Sequence, residues 1–443
     1  MTRRVIITLV ACAVLAVGCA YYNGLYNANR LAGEARRAER EGRTGEARSL
    51  WSRAAIKAES VAARFPKSKY RDDALLLQGK ALYAISACTR AVIPLALAAD
   101  SSPDPAIWRE ARLTLARCRL EMFEPDSVAD IVSPVVEADD SSGRAAALLL
   151  RGRARLALGD PVAALADLQA SGHRAAPFPL AVALARMGRT REAADLLLTR
   201  LHDAPYDEAR WLATLDTIGE REPAPGSKLV PRLTARTDLT DRQRARLWLS
   251  DAKRWLAAGT TDSAAVRFRA VIAVAADSLE GRAAQAHLTV REVRRTTRVE
   301  LIPALADTLR ATMRQGGEPV RIAERYANVL RRAALALAAD SSDLLLFLAA
   351  EEMRDSLGAA SLAAALFQEI ARRAPGSAIA PKALLAAAML LPDAADSLIA
   401  VVRERYPESV YTLALDGRAP DAYRVLEDSL LRIISEAGRR NDR

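Results

Sequence analysis

Thiols and imidazoles are scarce in this chain, with four Cys and three His among 443 residues. Nucleophiles, metal ligands and general bases come largely from these types, and each needs partners at set spacings. His173, His202 and His287 are scattered and have no such partners in sequence, so they read as surface or interface residues. No HExxH, GxSxG or GxxxxGK[ST] occurs. Two Glu-Ser dipeptides stand out, Glu59-Ser60 within a helical pattern and Glu408-Ser409 in a Pro-Glu-Ser turn. An isolated Glu is no general acid without a cleft that raises its pKa. The expectation is a chain that is not an enzyme, with no catalytic residue, metal, cofactor or small-molecule substrate.

Chemistry of another kind lies at the start. Residues 1–19 read MTRRVIITLVACAVLAVGC, with Arg3 and Arg4 ahead of an apolar run from Val5 to Val17 broken only by Thr8. The run is short for a spanning helix and has the flanks of an export signal. Its end, Ala16-Val17-Gly18-Cys19, resembles the bacterial lipobox, in which small residues precede a Cys that is lipidated and becomes the first mature residue. The resemblance implies a diacylglycerol on the Cys19 sulfur and an N-acyl chain such as palmitate. Two or more chains anchor a protein stably, where one holds it only marginally. Residue 20 is Ala, not Asp, so the usual inner-membrane retention signal is absent and the periplasmic face of the outer membrane is expected. A plain cleaved signal with an incidental Cys is the alternative.

Export would leave Cys88 and Cys118 where disulfides can form. They lie 30 residues apart, about one helical hairpin, near the ends of neighbouring predicted helices. They are a candidate disulfide pair, and two buried apolar thiols are the other reading. Arg291, Arg294, Arg295 and Arg298 recur at 0, 3, 4 and 7 on one helix face. That stripe is a candidate contact for an anionic partner, against the plainer reading of a solvated face. Arg36, Arg37, Arg40 and Arg43 could likewise face anionic headgroups near the anchor. Tyr22 and Tyr26 suit either the membrane interface or packing on the first repeat. The net charge of +10 comes with 57 Arg and seven Lys, which reads as GC-rich compositional bias. With an export address, nucleic acid is not an expected partner.

The elements that carry these residues are helical. Ala alone contributes 93 residues and aromatics only 5%, so the core is built of small side chains in closely packed helices. A pattern recurs in which Ala follows Gly by five and a large apolar residue follows by nine. It appears as Gly42…Ala47…Trp51, Gly159…Ala164…Leu168, Gly188…Ala193…Leu197, Gly259…Ala264…Phe268 and Gly358…Ala363…Phe367. Pro205 and Pro375 follow two of them. Ala164, Ala193, Ala264 and Ala363 are separated by 29, 71 and 99 residues, near one, two and three periods. Gly152 precedes Gly159 by seven. LALAADSS at 95–102 and 335–342 reads as a helix end followed by cap residues, or as biased composition.

These copies resemble the turn and second helix of the tetratricopeptide repeat. There Gly turns the chain, Ala lets two helices approach, and Pro ends the second. FPKSKYRDDA, APGSAIAPKA and YPESVYTLA repeat a helix end, a Ser cap and a new helix. With the anchor, the whole is similar to the tetratricopeptide outer-membrane lipoproteins of the BamD-like class. It departs from them by about two extra helical turns between Ala47 and Pro66. The implied fold class is all-α, an α-solenoid of tetratricopeptide-like hairpins. The expected layout is a signal peptide at 1–18, lipidated Cys and tether at 19–30, repeats at 31–218, a Pro-rich connector at 219–240, repeats at 241–416, and a capping helix with basic tail at 417–443. The implied function is a periplasmic scaffold that binds protein partners in its groove, in outer-membrane protein assembly. Polysaccharide export and peptidoglycan-synthase regulation are alternatives within the same class. A lytic transglycosylase-like enzyme is the remote one, since neither Glu-Ser leads into the Gly-Leu-Met-Gln type segment of that family.

Overall fold

The computed structural model describes residues 24–138, 141–203, 205–313, 319–339, 343–418 and 420–441. About 80% is helix, and the described residues contain no strand. Helix starts follow local chemistry. Asp104 and Asp160 accept backbone N–H bonds ahead of Pro105 and Pro161, and Thr240 with Gln243 forms a capping box.

The helices pair as tetratricopeptide-like hairpins, and the repeat residues hold the pairs together. All five repeat Gly residues are left-handed, with φ from +60° to +82°. The Ala five later is at most 2% exposed in every copy, and the large residue nine later at most 6%. A side chain on Gly152 would collide with Leu168, so that close approach needs Gly. Gly79 stands in the same relation to Leu95.

Two more hairpins share this geometry without Gly. Ser86 and Phe123 both turn at φ +60°. Ala91 and Leu95 follow Ser86 at five and nine, and Val128 and Val132 follow Phe123, all 0% exposed. The sequence pattern missed both because it was keyed to Gly.

The chain divides into two compact units, one ending at Arg232 and one starting at Leu233. In the first unit, successive first helices touch one another: Arg71–Ala84, Pro105–Glu121, Arg144–Ala157, Pro177–Arg186 and Glu208–Gly219. The second helices between them meet mainly those first helices. The layer whose neighbours touch is the inside of the curve, so the first helices line the concave face of this unit. The segment 219–240, expected as a connector, is helical at Pro223–Ser227 and Val230–Thr234, and Gly226 packs close to Ile218.

The second unit departs from even repetition. The 99 residues from Ala264 to Ala363 suggest three periods, which need five helices between Thr261–Ala275 and Ala360–Arg373. The described residues show four α-helices: Leu279–Arg295, Ile302–Met313, Pro319–Ala338 and Asp343–Leu357. Pro319–Ala338 is thus followed directly by the first helix of the next hairpin. The last helix, Pro420–Asn441, docks through Tyr423 edge-on to Tyr411 and through Glu427, which accepts from Tyr411 and pairs with Lys382.

Candidate interaction faces

Counting back from each turn residue gives the register of the first helices. In the regular turns the amide after the turn residue reaches the carbonyl five residues before it, as Asp160 does to Arg155 and Thr260 to Trp255. The position six before the turn residue holds Arg36, Lys80, Arg117 and Arg153 in four consecutive hairpins. Val182 occupies it in the next hairpin and Lys253 in the one closed at Gly259.

In the first unit Lys80, Arg117 and Arg153 stand on the inner layer, and two of them share an acid. Lys80 and Arg117 both reach Glu110, at 3.0 and 3.8 Å. Burial pushes the Tyr83 hydroxyl pKa up, Glu121 adds to this, and Arg117 and Arg153 oppose it. Lys80, Tyr83, Glu110, Arg117, Glu121 and Arg153 therefore make one polar strip across three hairpins.

The second unit builds a different face. A groove of about 570 Å³ runs between Pro319–Ala338 and Asp343–Leu357. Leu335, Ala336, Leu345, Leu348 and Ala349 supply its apolar part, and Arg332, Glu351, Glu352 and Asp355 its polar part. A second hollow extends it past Arg325 and Asn328. Arg325 to Ala336 covers eleven residue steps, about 16 Å at 1.5 Å per residue. Leu335 and Leu345 are 65% and 47% exposed.

Glu351 places an anion in this register. The Gly358 turn is one residue longer than the others, because the Ala359 amide reaches six residues back to Met353. Seven before Gly358 therefore matches six before the other turn residues. Where five of those six hairpins carry Arg or Lys, this one carries Glu351. Ala350, 0% exposed, then takes the place of the small residue one earlier, held elsewhere by Gly79, Ala116, Gly152 or Ala252. Burial pushes the Glu351 carboxyl up, with Arg354 at 3.8 Å and the charge of Lys382 opposing it.

The residues singled out in the sequence fall as follows. Cys19 lies outside the described residues, as does Tyr22. Cys88 and Cys118 are brought together as a disulfide pair, their Cα atoms 5.1 Å apart. The pair joins the second helix of one hairpin to the first helix of the next. The Arg stripe is divided among contacts within the chain. Arg291 and Arg295 both pair with Asp262, Arg294 donates to the Tyr326 hydroxyl and the Leu357 carbonyl, and Arg298 pairs with Glu300. Arg36 lies over the Trp51 ring, and Arg43 pairs with Glu41 and Glu46. His287 stacks on Phe268, and His173 Nδ1 accepts from the Ala175 amide. No group of three or more metal-ligating side chains occurs among the described residues.

No family model matches the chain, and no curated protein matches it. Among solved structures, a chain of the APC/C hetero-tetramer Cut9-Hcn1 aligns at 12% identity. The alignment covers 92% of this chain and 99% of that one, with a TM-score of 0.29. A chain of Naa15/Naa10 bound to HypK-THB aligns at 14% identity over 87% of this chain and 64% of that one, with a TM-score of 0.27. Neither likeness bears on what this chain binds.

Proposed function

We propose that this chain is a lipid-anchored scaffold that recruits protein partners through the inner faces of its hairpins. The observations that carry the reading are the layer of first helices in the first unit, which presents grouped charges, and the partly apolar groove in the second. Each hairpin spends one face on its neighbours and leaves the other for a ligand. It works by binding rather than catalysis. Residues 1–19 supply the address, with lipid on Cys19 holding the protein at the periplasmic face of the outer membrane. No helix among the described residues is long and apolar enough to cross a membrane. Outer-membrane protein assembly is the process proposed, on the resemblance to lipoproteins of the BamD-like class. In the same compartment Cys88 and Cys118 are oxidised to a disulfide.

The test is crosslinking in membranes, purification of the lipidated protein and identification of its partners, beside a Cys19→Ala version. Barrel-assembly components that are recovered with the native protein and lost with Cys19→Ala support the full reading. Recovery of polysaccharide-export or peptidoglycan-synthase components keeps the scaffold and replaces the process. A Cys19→Ala protein that remains in the membrane fraction removes the anchor. Thiol alkylation of the purified protein, before and after reduction, reads the disulfide directly.

A further inference from the structure

From the groove between Pro319–Ala338 and Asp343–Leu357, we infer the chemistry of one partner: an apolar segment of a second protein carrying a single Lys or Arg, whose charge is received by Glu351. This rests on the scaffold reading above and makes it specific.

Two independent features meet at this place. The first is shape and polarity. The groove with its second hollow is long enough for about three helical turns, and Leu335, Leu345 and Leu348 offer apolar surface at one end. The helix register puts Arg325, Asn328, Val329, Arg332, Leu335 and Ala336 on one stripe. Leu345, Leu348, Glu352 and Asp355 fall on a facing stripe, three or four residues apart.

The second is charge. In a chain of net charge +10, the linings of the groove and its second hollow together hold three acids, Glu351, Glu352 and Asp355, and two Arg, Arg325 and Arg332. The acids are not equally engaged. Glu352 receives both donor arms of Arg332, and Asp355 receives two bonds from Arg354, at 2.6 and 2.8 Å. Glu351 is left the long 3.8 Å pairing with Arg354. Lys382, the nearby cation on another helix, is bonded to Glu427 at 2.8 Å. A half-buried carboxylate with weak compensation is stabilised by an incoming cation, and the desolvated apolar surround strengthens that contact. The same register position carries a cation in four hairpins of the first unit and at Lys253 in the second, so this hairpin does not select for the same partner as those.

The probe is a fluorescein-labelled twelve-residue peptide with Leu at helix spacing and one central position filled by Lys, norleucine or Glu. Anisotropy is measured with the full chain at two salt concentrations. The Lys peptide is expected to bind at least about tenfold tighter than the Glu peptide and measurably tighter than norleucine. Glu351→Gln should remove the preference for Lys over norleucine while norleucine binding is kept. Leu335→Asp, at an exposed position, should lower binding of all three, with the circular dichroism spectrum unchanged. Equal binding of Lys and norleucine peptides, a preference that survives Glu351→Gln, or no binding of any peptide each overturns the inference. If the groove peptides fail while crosslinked partners are still captured, the scaffold stands and only this groove assignment falls.

Discussion

The hairpin closed at Gly159 and the hairpin closed at Gly259 carry the same buried ion pair with its polarity reversed. In the first, Arg151 lies eight residues before the turn Gly and Asp167 eight after. In the second, Asp251 lies eight before and Arg267 eight after. Arg151 donates to both Asp167 oxygens at 2.9 and 2.8 Å, and Arg267 donates to Asp251 at 2.6 Å. Each aspartate also takes a second arginine. Arg155, one turn beyond Arg151, reaches Asp167 at 2.7 Å. Arg254, on the same helix as Asp251, reaches it at 3.2 Å. These two hairpins thus accept opposite charges at facing sites with either helix supplying the anion, where the hairpins closed at Phe123 and Gly188 hold apolar pairs, Leu115 with Ile131 and Leu180 with Leu196. What differs is burial. The Asp251 side chain is 0% exposed and Asp167 is 6%; Arg155 at 31% is more open than Arg254 at 8%, while Arg151 and Arg267 are alike at 16% and 20%.

That difference orders the predictions. Removing Asp251 takes away the buried anion shared by the buried Arg254 and the partly buried Arg267. Losing one partner of a buried pair costs about 3–5 kcal/mol. Asp251→Ala is therefore expected to lower unfolding stability by that amount in urea melts. Asp167→Ala should cost less, about 1.5–3 kcal/mol, because its second arginine, Arg155, is already partly open to water, whereas Arg254 is buried. Equal losses at the two sites would mean that burial does not set the cost and would break the comparison.

Reversal probes the geometry itself. Arg151→Asp with Asp167→Arg copies the Gly259 polarity into the Gly159 hairpin but leaves Arg155 beside a like charge. Recovery should be partial, leaving about 1–2 kcal/mol of the single-mutant loss, the size of a typical coupling energy between neighbours. In the Gly259 hairpin the place of Arg155 is held by Trp255, whose ring lies 4.5 Å from the Arg267 guanidinium. Adding Arg155→Trp should recover most of the remainder. If the triple variant is no better than the double, the two hairpins are not equivalent frames.

The sequence made some of this legible and hid the rest for identifiable reasons. Each of the five Gly-keyed copies folds as a left-handed turn over a buried Ala, because a small residue and a special φ leave residue-type signatures. The charge-reversed pair leaves none, since Arg and Asp exchange places and no fixed letter recurs. The Arg291 stripe was visible as spacing. Its division between Asp262, Tyr326 and Glu300 depends on packing that spacing does not encode. The groove was missed because its lining is ordinary Leu and Ala on two helices. Glu351 falls in the cationic register only once the extra residue in the Gly358 turn is counted. Thirty residues of separation put Cys88 and Cys118 within reach, and only the packed hairpins bring their Cα atoms to 5.1 Å.

The smallest expected effect extends the comparison to the turns. Gly159 and Gly259 occupy the left-handed region at no steric cost, whereas Ser86 and Phe123 enter it with a side chain. An L-residue there costs about 1–2 kcal/mol, and Gly loses about 0.5–1 kcal/mol more backbone entropy on folding. Gly159→Ala should therefore destabilise by about 1 kcal/mol net, since its Cβ would meet nothing and only conformation is at stake. Phe123→Gly should stabilise by about 0.5–1 kcal/mol, because Phe123 is 92% exposed and gives up little packing. Nothing in the structure explains a Phe at this turn. If Phe123→Gly proves destabilising, the two Gly-free turns gain stability from their side chains, and the hairpins closed without Gly are a separate class rather than weakened copies of the others.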